Sequence, residues 1–341
     1  MTATTGTYDE ALERLHRCGP EFEGWLSNHG PMVVEAMGRR GADDGVHRWT
    51  EAYLPRLEPL PTPNNLITAA TWQEAVGDHT RIGDWMAWFQ QQLAQQSWQD
   101  VLAEWWPRLL PGIAAGATHG VIRTGHAVNA LRDATTQPRQ DELAQALGYW
   151  AARFQRSPVL VPAGHDRAGD LVTTVPRVAD QDGGIRERLA QLPVTAGWAA
   201  HGARLAGVTE AHSVPAALGD LVDAVVSAYA SIAHGQPTML VHAATAPNAV
   251  AMALPSLPTE QWLTTYSAAW SASAAVLAAY LPATPAPPEG VSVVADDVFD
   301  LALRHGGEHV IKLADTALSS HARTGDPRAL AAVTAAIRLD A

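Results

Sequence analysis

The sequence predicts an all-α fold built as one large multi-helix domain over residues 1–341. Three observations predict it. Apolar residues recur at i, i+3, i+4 and i+7 in almost every segment, the spacing of a helix face turned to a core. Alternating apolar and polar runs, the mark of half-buried strands, are nearly absent. Only 17% of the 341 residues are charged and 47% are hydrophobic, enough apolar material for a substantial core and too much for a disordered chain.

The elements follow in chain order. "YDEALERLHRC" is a short amphipathic helix that Gly19-Pro20 terminates. "GPMVVEAMGRRGA" follows the His29-Gly30 turn, with Pro31 at the first helical position, where its missing N–H costs nothing. "DGVHRWTEAYLPRL" completes a helical hairpin with it. "RIGDWMAWFQQQLAQQSWQDVLAEWWPRLL" reads as two helices. "GATHGVIRTGHAVNAL" is rich in small residues, which suits close approach of helix backbones, and "QDELAQALGYWAARF" is again amphipathic. In "SVPAALGDLVDAVVSAYASI", Leu218, Leu221, Val222, Val225, Val226 and Tyr229 keep helical register. "TMLVHAATAPNAVAMAL", "EQWLTTYSAAWSASAAVLAAYL", "DDVFDLALRHG" and "DPRALAAVTAAIRL" continue the pattern. Two segments break it: a partly extended connection over about 157–184 and a Pro-rich loop over about 282–290. Neither resembles a Gly/Ser linker, so no domain boundary is placed there.

The formal net charge of −12 argues against nucleic acid or an anionic membrane surface as partner. One cysteine, Cys18, excludes an intrachain disulfide and fits a reducing, cytoplasmic setting. The N-terminus has no basic region followed by an apolar run, so no secretion signal is expected. No uncharged apolar stretch reaches the roughly 18–20 residues of a membrane span; the best candidate, "LVDAVVSAYASIAHG", carries Asp223.

Tryptophan and histidine are enriched, with twelve and fourteen copies. Seven of the tryptophans lie between Trp49 and Trp106, as core packing or as the walls of an aromatic pocket. His16, His47, His79, His165, His201, His212, His234 and His321 read as surface or ordinary hydrogen-bonded residues. His29, His119, His242 and His309 differ, because each is flanked by residues that build a core. Buried imidazoles need partners, and one metal ion can satisfy several. No HExxH or Cys-rich zinc pattern is present, and Glu13–His16 alone has the Glu-x-x-His spacing of di-iron bundles. His309 and Lys312 stand three apart and share a helix face. Without other information Lys312 reads as a lysine paired with Glu308 or Asp315.

Four segments, in order, resemble the questin oxidase family: "LSNHGPMVVEAMGRRGADDGVHRWTEAYLPRL", "GATHGVIRTGHAVNAL", "LVHAATAP" and "GEHVIKLADTAL". They span residue 28 to about 318. The resemblance implies an all-helical, mononuclear, non-haem iron oxygenase that opens a ring of an anthraquinone-like polyketide with O2. It implies Fe(II) held by His29, His119, His242 and His309, with Lys312, carboxylated by CO2, as fifth ligand. The chain is shorter than the fungal members, so the aromatic substrate stays open.

Helix spacing supplies further candidates. Thr245 follows His242 by three residues, so its hydroxyl is expected at the same cavity. Arg123 and His126 continue the His119 face and would hold a phenolate or quinone oxygen. Asn28 is expected to fix the His29 turn. The expected outcome is C–C cleavage or a Baeyer–Villiger-like insertion. No nucleotide fingerprint is visible, so a reductant such as NADPH would need another binding mode or a partner. A homo-oligomer stays open. Two rivals remain: a zinc-dependent hydrolase using the same histidines, and a non-catalytic helical small-molecule-binding protein.

Overall fold

A computed structural model describes residues 4–287 and 293–340. Among these, seventeen α-helices make up most of the chain. In order they are α1 (Thr4–Leu15), α2 (Gly30–Arg39), α3 (Asp43–Tyr53), α4 (Trp72–Ala75), α5 (Ile82–Gln95), α6 (Trp98–Leu109), α7 (His119–Asp133), α8 (Gln137–Ala152) and α9 (Ala168–Leu171). There follow α10 (Ile185–Ala190), α11 (Trp198–Ala203), α12 (Val214–Ile232), α13 (Pro237–Ala253), α14 (Trp262–Tyr280), α15 (Ala295–His305), α16 (Glu308–Thr324) and α17 (Arg328–Leu339). The all-α expectation holds. The two-helix hairpin and the α5–α6 pair fall where periodicity places them. The exceptions are small: the antiparallel pair β1 (Glu21–Phe22) and β2 (Leu26–Ser27), and the short helices α10 and α11, whose few residues carry too little periodicity to announce themselves. The 157–184 connection contains the four-residue helix α9 and is otherwise without helix, pinned by parallel bridges from Gly164 and Asp166 to Ala206 and Leu205. Residues 288–290 of the Pro-rich loop lie outside the described residues.

The central helix is α13, packed by α7, α12, α14 and α16. Small residues allow these approaches. A Cβ on Gly125 of α7 would stand 2.4 Å from the Ala249 carbonyl oxygen of α13, and one on Gly120 would meet Trp150 of α8. The tryptophans pack the core: Trp105 meets Trp85, Phe89 and Trp72 edge-on at centroid distances of 5.5, 4.9 and 5.1 Å.

Two prolines sit inside helices. Each removes a donor that the carbonyl four residues earlier would have used. Pro247 frees the Ala243 carbonyl, which accepts from Ser273 Oγ of α14 at 2.8 Å. Pro107 frees the Ala103 carbonyl, which accepts from Gln261 Nε2 at 2.8 Å. Ser273 is fully buried, so Ser273→Ala leaves a core carbonyl unpaired. Chemical denaturation should show a loss of about 1–3 kcal/mol.

No uncharged apolar stretch of the sequence reaches membrane length. The structure adds a qualification: Ala211–Gly235 is long and apolar enough to cross a membrane by length and composition alone. It carries Asp220 and Asp223, and it packs on α13, α14, α16 and α17, which accounts for its apolar faces.

Candidate metal centre

His29, His119, His242 and His309, spread over 281 positions, come together. One ligand atom from each lies within 4.8 Å of the others. The Nε2 atoms of His29 and His119 are 2.8 Å apart, and those of His119 and His242 are 3.0 Å apart. His309 completes the ring, with centroids 4.6 Å from His29 and 5.0 Å from His242. No other such group of His, Cys, Asp or Glu occurs among the described residues.

Local structure delivers each ring. Asn28 accepts the Gly30 N–H at 2.9 Å and donates to the Gly19 carbonyl at 3.2 Å, fixing the turn that presents His29, as its sequence position suggested. The His29 N–H donates to Tyr53 Oη at 2.8 Å. A Cβ on Gly30 would stand 2.5 Å from a Leu15 methyl and 3.0 Å from Asn28 Oδ1, so a larger residue where α2 starts would have to displace them. His119 opens α7 after three consecutive left-handed residues, Gly116, Ala117 and Thr118, with φ of 54°, 53° and 66°. This conformation is costly for a β-branched residue such as Thr118. It folds the Gly116 carbonyl back to 2.6 Å from His119 Nδ1. His242 sits in α13, with its Nδ1 3.0 Å from the Met239 carbonyl. Gly306, at φ 81°, ends α15 and lets the chain reverse, so that His309 falls in the first turn of α16.

The tautomers follow from these contacts. A carbonyl only accepts, so Nδ1 of His119 and of His242 must carry the proton. Their Nε2 lone pairs then face each other at 3.0 Å with no proton between them. A cation bound between them removes that repulsion, and imidazole nitrogens anchored through their far nitrogen are good ligands for one.

Burial, assisted by the charge of Lys312, holds His119 down to about 3. His29, His242 and His309 are pushed well below the ordinary histidine value, first by burial and then by each other and Lys312. All four are neutral at pH 7 and ready to bind metal. The linkage has a definite sign. Between the unfolded value near 6.5 and the folded value near 3, the unfolded chain binds more protons than the folded one. Stability contributed by His119 is therefore complete above about pH 6.5 and is lost as pH falls toward 3, at up to about 1.4 kcal/mol per pH unit. The metal-free protein should show falling melting temperature across that window, with less loss in His119→Gln.

Lys312, 1% exposed, follows His309 by three residues on α16, and its charge acts on all four imidazoles. Its Nζ has no hydrogen-bond partner. The carboxylates it was expected to pair with are taken. Asp315 binds Arg39 and Arg40, and Glu308 binds Arg56 at 3.2 Å. Burial, opposed by Glu308, brings the Lys312 amine down to about 7.

The other candidates are engaged elsewhere. Arg123 is fully buried and grips Glu142 at 2.6 and 2.7 Å and Gln145 at 3.0 Å, with Nη1 left unpartnered. His126 Nδ1 meets Glu35 at 2.6 Å, tying α7 to α2. Thr245 stays near His242, but its hydroxyl donates to the Val241 carbonyl at 3.2 Å. Sequence reasoning weighed Glu308 only as a partner of Lys312, and missed Arg56 and the left-handed Gly116–Thr118 turn. Only the small-residue run before His119 hinted at the last. A groove of about 780 Å³ lined by Tyr266, Asp220 and Thr324 is remote from this chemistry. Thr324 stands fifteen residues beyond His309 on α16, roughly 22 Å along the helix.

Residues 27–314 match the family described as Questin oxidase-like. A search among curated proteins finds no significant match.

Proposed function

The chain belongs to the questin oxidase-like family, a family of oxidoreductases, and from that premise we propose that it is a mononuclear non-haem iron oxygenase. Its substrate is a polycyclic aromatic, anthraquinone-like polyketide, and the outcome is oxidative opening of a ring. The observation that carries the reading is the convergence of imidazole lone pairs whose far nitrogens are tied to carbonyls. His29, His119, His242 and His309 would hold Fe(II), and an oxygen from a carboxylated Lys312 would complete five positions. Bound iron would supply the redox chemistry by which O2 reacts with the electron-rich ring.

The chain's own residues supply the rest. A neutral Lys312 amine attacks CO2 through its lone pair. The new N–C bond yields a carbamate and releases one proton, turning a poor cation ligand into an anionic one. The centre favours that anion, because α2, α7 and α16 all direct their N-termini toward it. Arg123 and His126 hold α7 against α8 and α2. Pro247, with Ser273 covering the carbonyl it frees, shapes α13 one turn beyond His242. The substrate phenol must lose a proton before its ring carbon becomes reactive. The reading places the enzyme in the cytoplasm with a small-molecule partner and leaves any external reductant to a separate donor.

Metal analysis of the purified protein combined with O2 uptake on a polyhydroxyanthraquinone tests this. One iron per chain and substrate-dependent uptake are expected. Stoichiometric zinc without uptake would put hydrolysis in its place. Absence of any stoichiometric metal would favour a binding protein.

A further inference from the structure

Three of the imidazoles differ in how their outer nitrogen is held. Nδ1 of His119 and of His242 each have a backbone carbonyl, at 2.6 and 3.0 Å. Nδ1 of His29 is buried and has no hydrogen bond. The nearest acceptor is Glu308 Oε1, 3.8 Å away, too far for a bond but within reach of a small side-chain rotation. Glu308 itself is nearly buried and belongs to the first turn of α16, one residue before His309. Both its oxygens are held at 3.2 Å by Arg56, which lies over the rings of Phe22 and Tyr53 at 4.7 and 5.2 Å.

From this we propose that Glu308 is the positioning residue of His29, and that Arg56 competes with His29 for it. A carboxylate accepting from Nδ1–H fixes the tautomer, orients the ring and raises the donor strength of Nε2. The protein provides backbone carbonyls for this purpose at His119 and His242, and a mobile side chain at His29. The Arg56 contacts to Glu308 are long for charge-assisted bonds, so the carboxylate is loosely held where it stands. When Nε2 of His29 gives its lone pair to a cation, Nδ1–H becomes a stronger donor and draws Glu308 toward it, loosening Arg56. Arg56 is half exposed and is held on Glu308, next in sequence to His309, the most exposed histidine of the four. Loading the centre therefore frees a guanidinium at its solvent side. This inference rests on the metal-centre reading above.

The test is anaerobic Fe(II) titration by calorimetry, with the iron alone as probe and circular dichroism as the check on folding. Glu308→Gln, which keeps the shape but loses the charge, should weaken Fe(II) binding about 10-fold, and Glu308→Ala about 10–100-fold. Arg56→Ala should tighten it several-fold in the wild-type background. That gain should shrink or vanish in Glu308→Gln, because the competition is then gone. An ordinary ion pair would have both substitutions weaken binding or leave it unchanged. Equal Fe(II) affinity in wild type and both Glu308 variants overturns the proposal, as does a gain from Arg56→Ala that is undiminished in Glu308→Gln. Should Glu308→Gln fail to fold, Arg56→Ala decides alone: loss of affinity overturns the proposal. A wild-type protein that binds no Fe(II) overturns the metal-centre reading itself.

Discussion

His119→Ala is expected to leave the protein unable to retain iron and to lower substrate-dependent O2 uptake by at least about 10³-fold, the scale of losing an interaction on which the reaction depends. His119 is the hub of the cluster, because both short Nε2 contacts, to His29 at 2.8 Å and to His242 at 3.0 Å, run through it. Removing it takes one ligand and also the spacing of two others. The folding cost should be modest by comparison. The side chain is 8% exposed, and its deletion relieves a lone-pair repulsion in the metal-free state. The chain also loses the Nδ1 bond to Gly116 that accompanies the left-handed turn. Metal content, O2 uptake and a denaturant midpoint, measured on one preparation, separate these effects. Loss of iron with a nearly unchanged midpoint is the expected pair. An iron content equal to that of wild type would remove His119 from the centre.

The same residue shows what a single sequence can reveal. The histidines stood out by their flanks: a ring among glycine, alanine and valine has no solvated face to occupy. Asn28 was legible for a related reason, since an Asx side chain before a glycine closes a turn by purely local bonds. Local periodicity was enough for most helices. Pairings across the chain were not legible. Arg123 and His126 lie on the His119 face, as helix spacing requires, yet what they touch depends on Glu142 and Glu35 of other helices. Nothing in their own neighbourhood distinguishes an arginine that meets substrate from one that locks two helices together. Ser273 and Gln261 are similar cases. Their value is set by prolines 26 and 154 positions away, through carbonyls that become orphans only when the helices pack. The Gly116–Thr118 backbone is hidden differently: two of its three residues have side chains that disfavour the conformation, so propensity points the wrong way and the surrounding packing must impose it.

Lys312→Met should divide stability from function more sharply than any other single change. In the metal-free protein the lysine is a liability. Its amine is 1% exposed, has no hydrogen bond, and burial pulls it down to about 7 from an ordinary value near 10.5. Below pH 7 it is charged in both folded and unfolded states, and folding bears the full desolvation cost. As pH rises from about 7 to 10.5 the folded state sheds the proton first, so the penalty falls across that window. Methionine fills similar volume, adapts its rotamers and carries no charge. The metal-free variant should therefore be more stable than wild type by about 1–4 kcal/mol at pH 6, the range seen when buried charges give way to well-packed apolar groups. The advantage should shrink toward pH 10. With iron the order should reverse. Methionine cannot take up CO2 and offers no anionic oxygen, so Fe(II) affinity and O2 uptake should collapse, and the carbamate carbon signal that wild type acquires from ¹³C-labelled bicarbonate should be missing. A buried lysine kept at such a cost to the metal-free fold is understandable if its amine is needed for something other than packing. If Lys312→Met is instead less stable without metal and fully active with it, the amine serves packing alone, and the fifth ligand must be sought elsewhere.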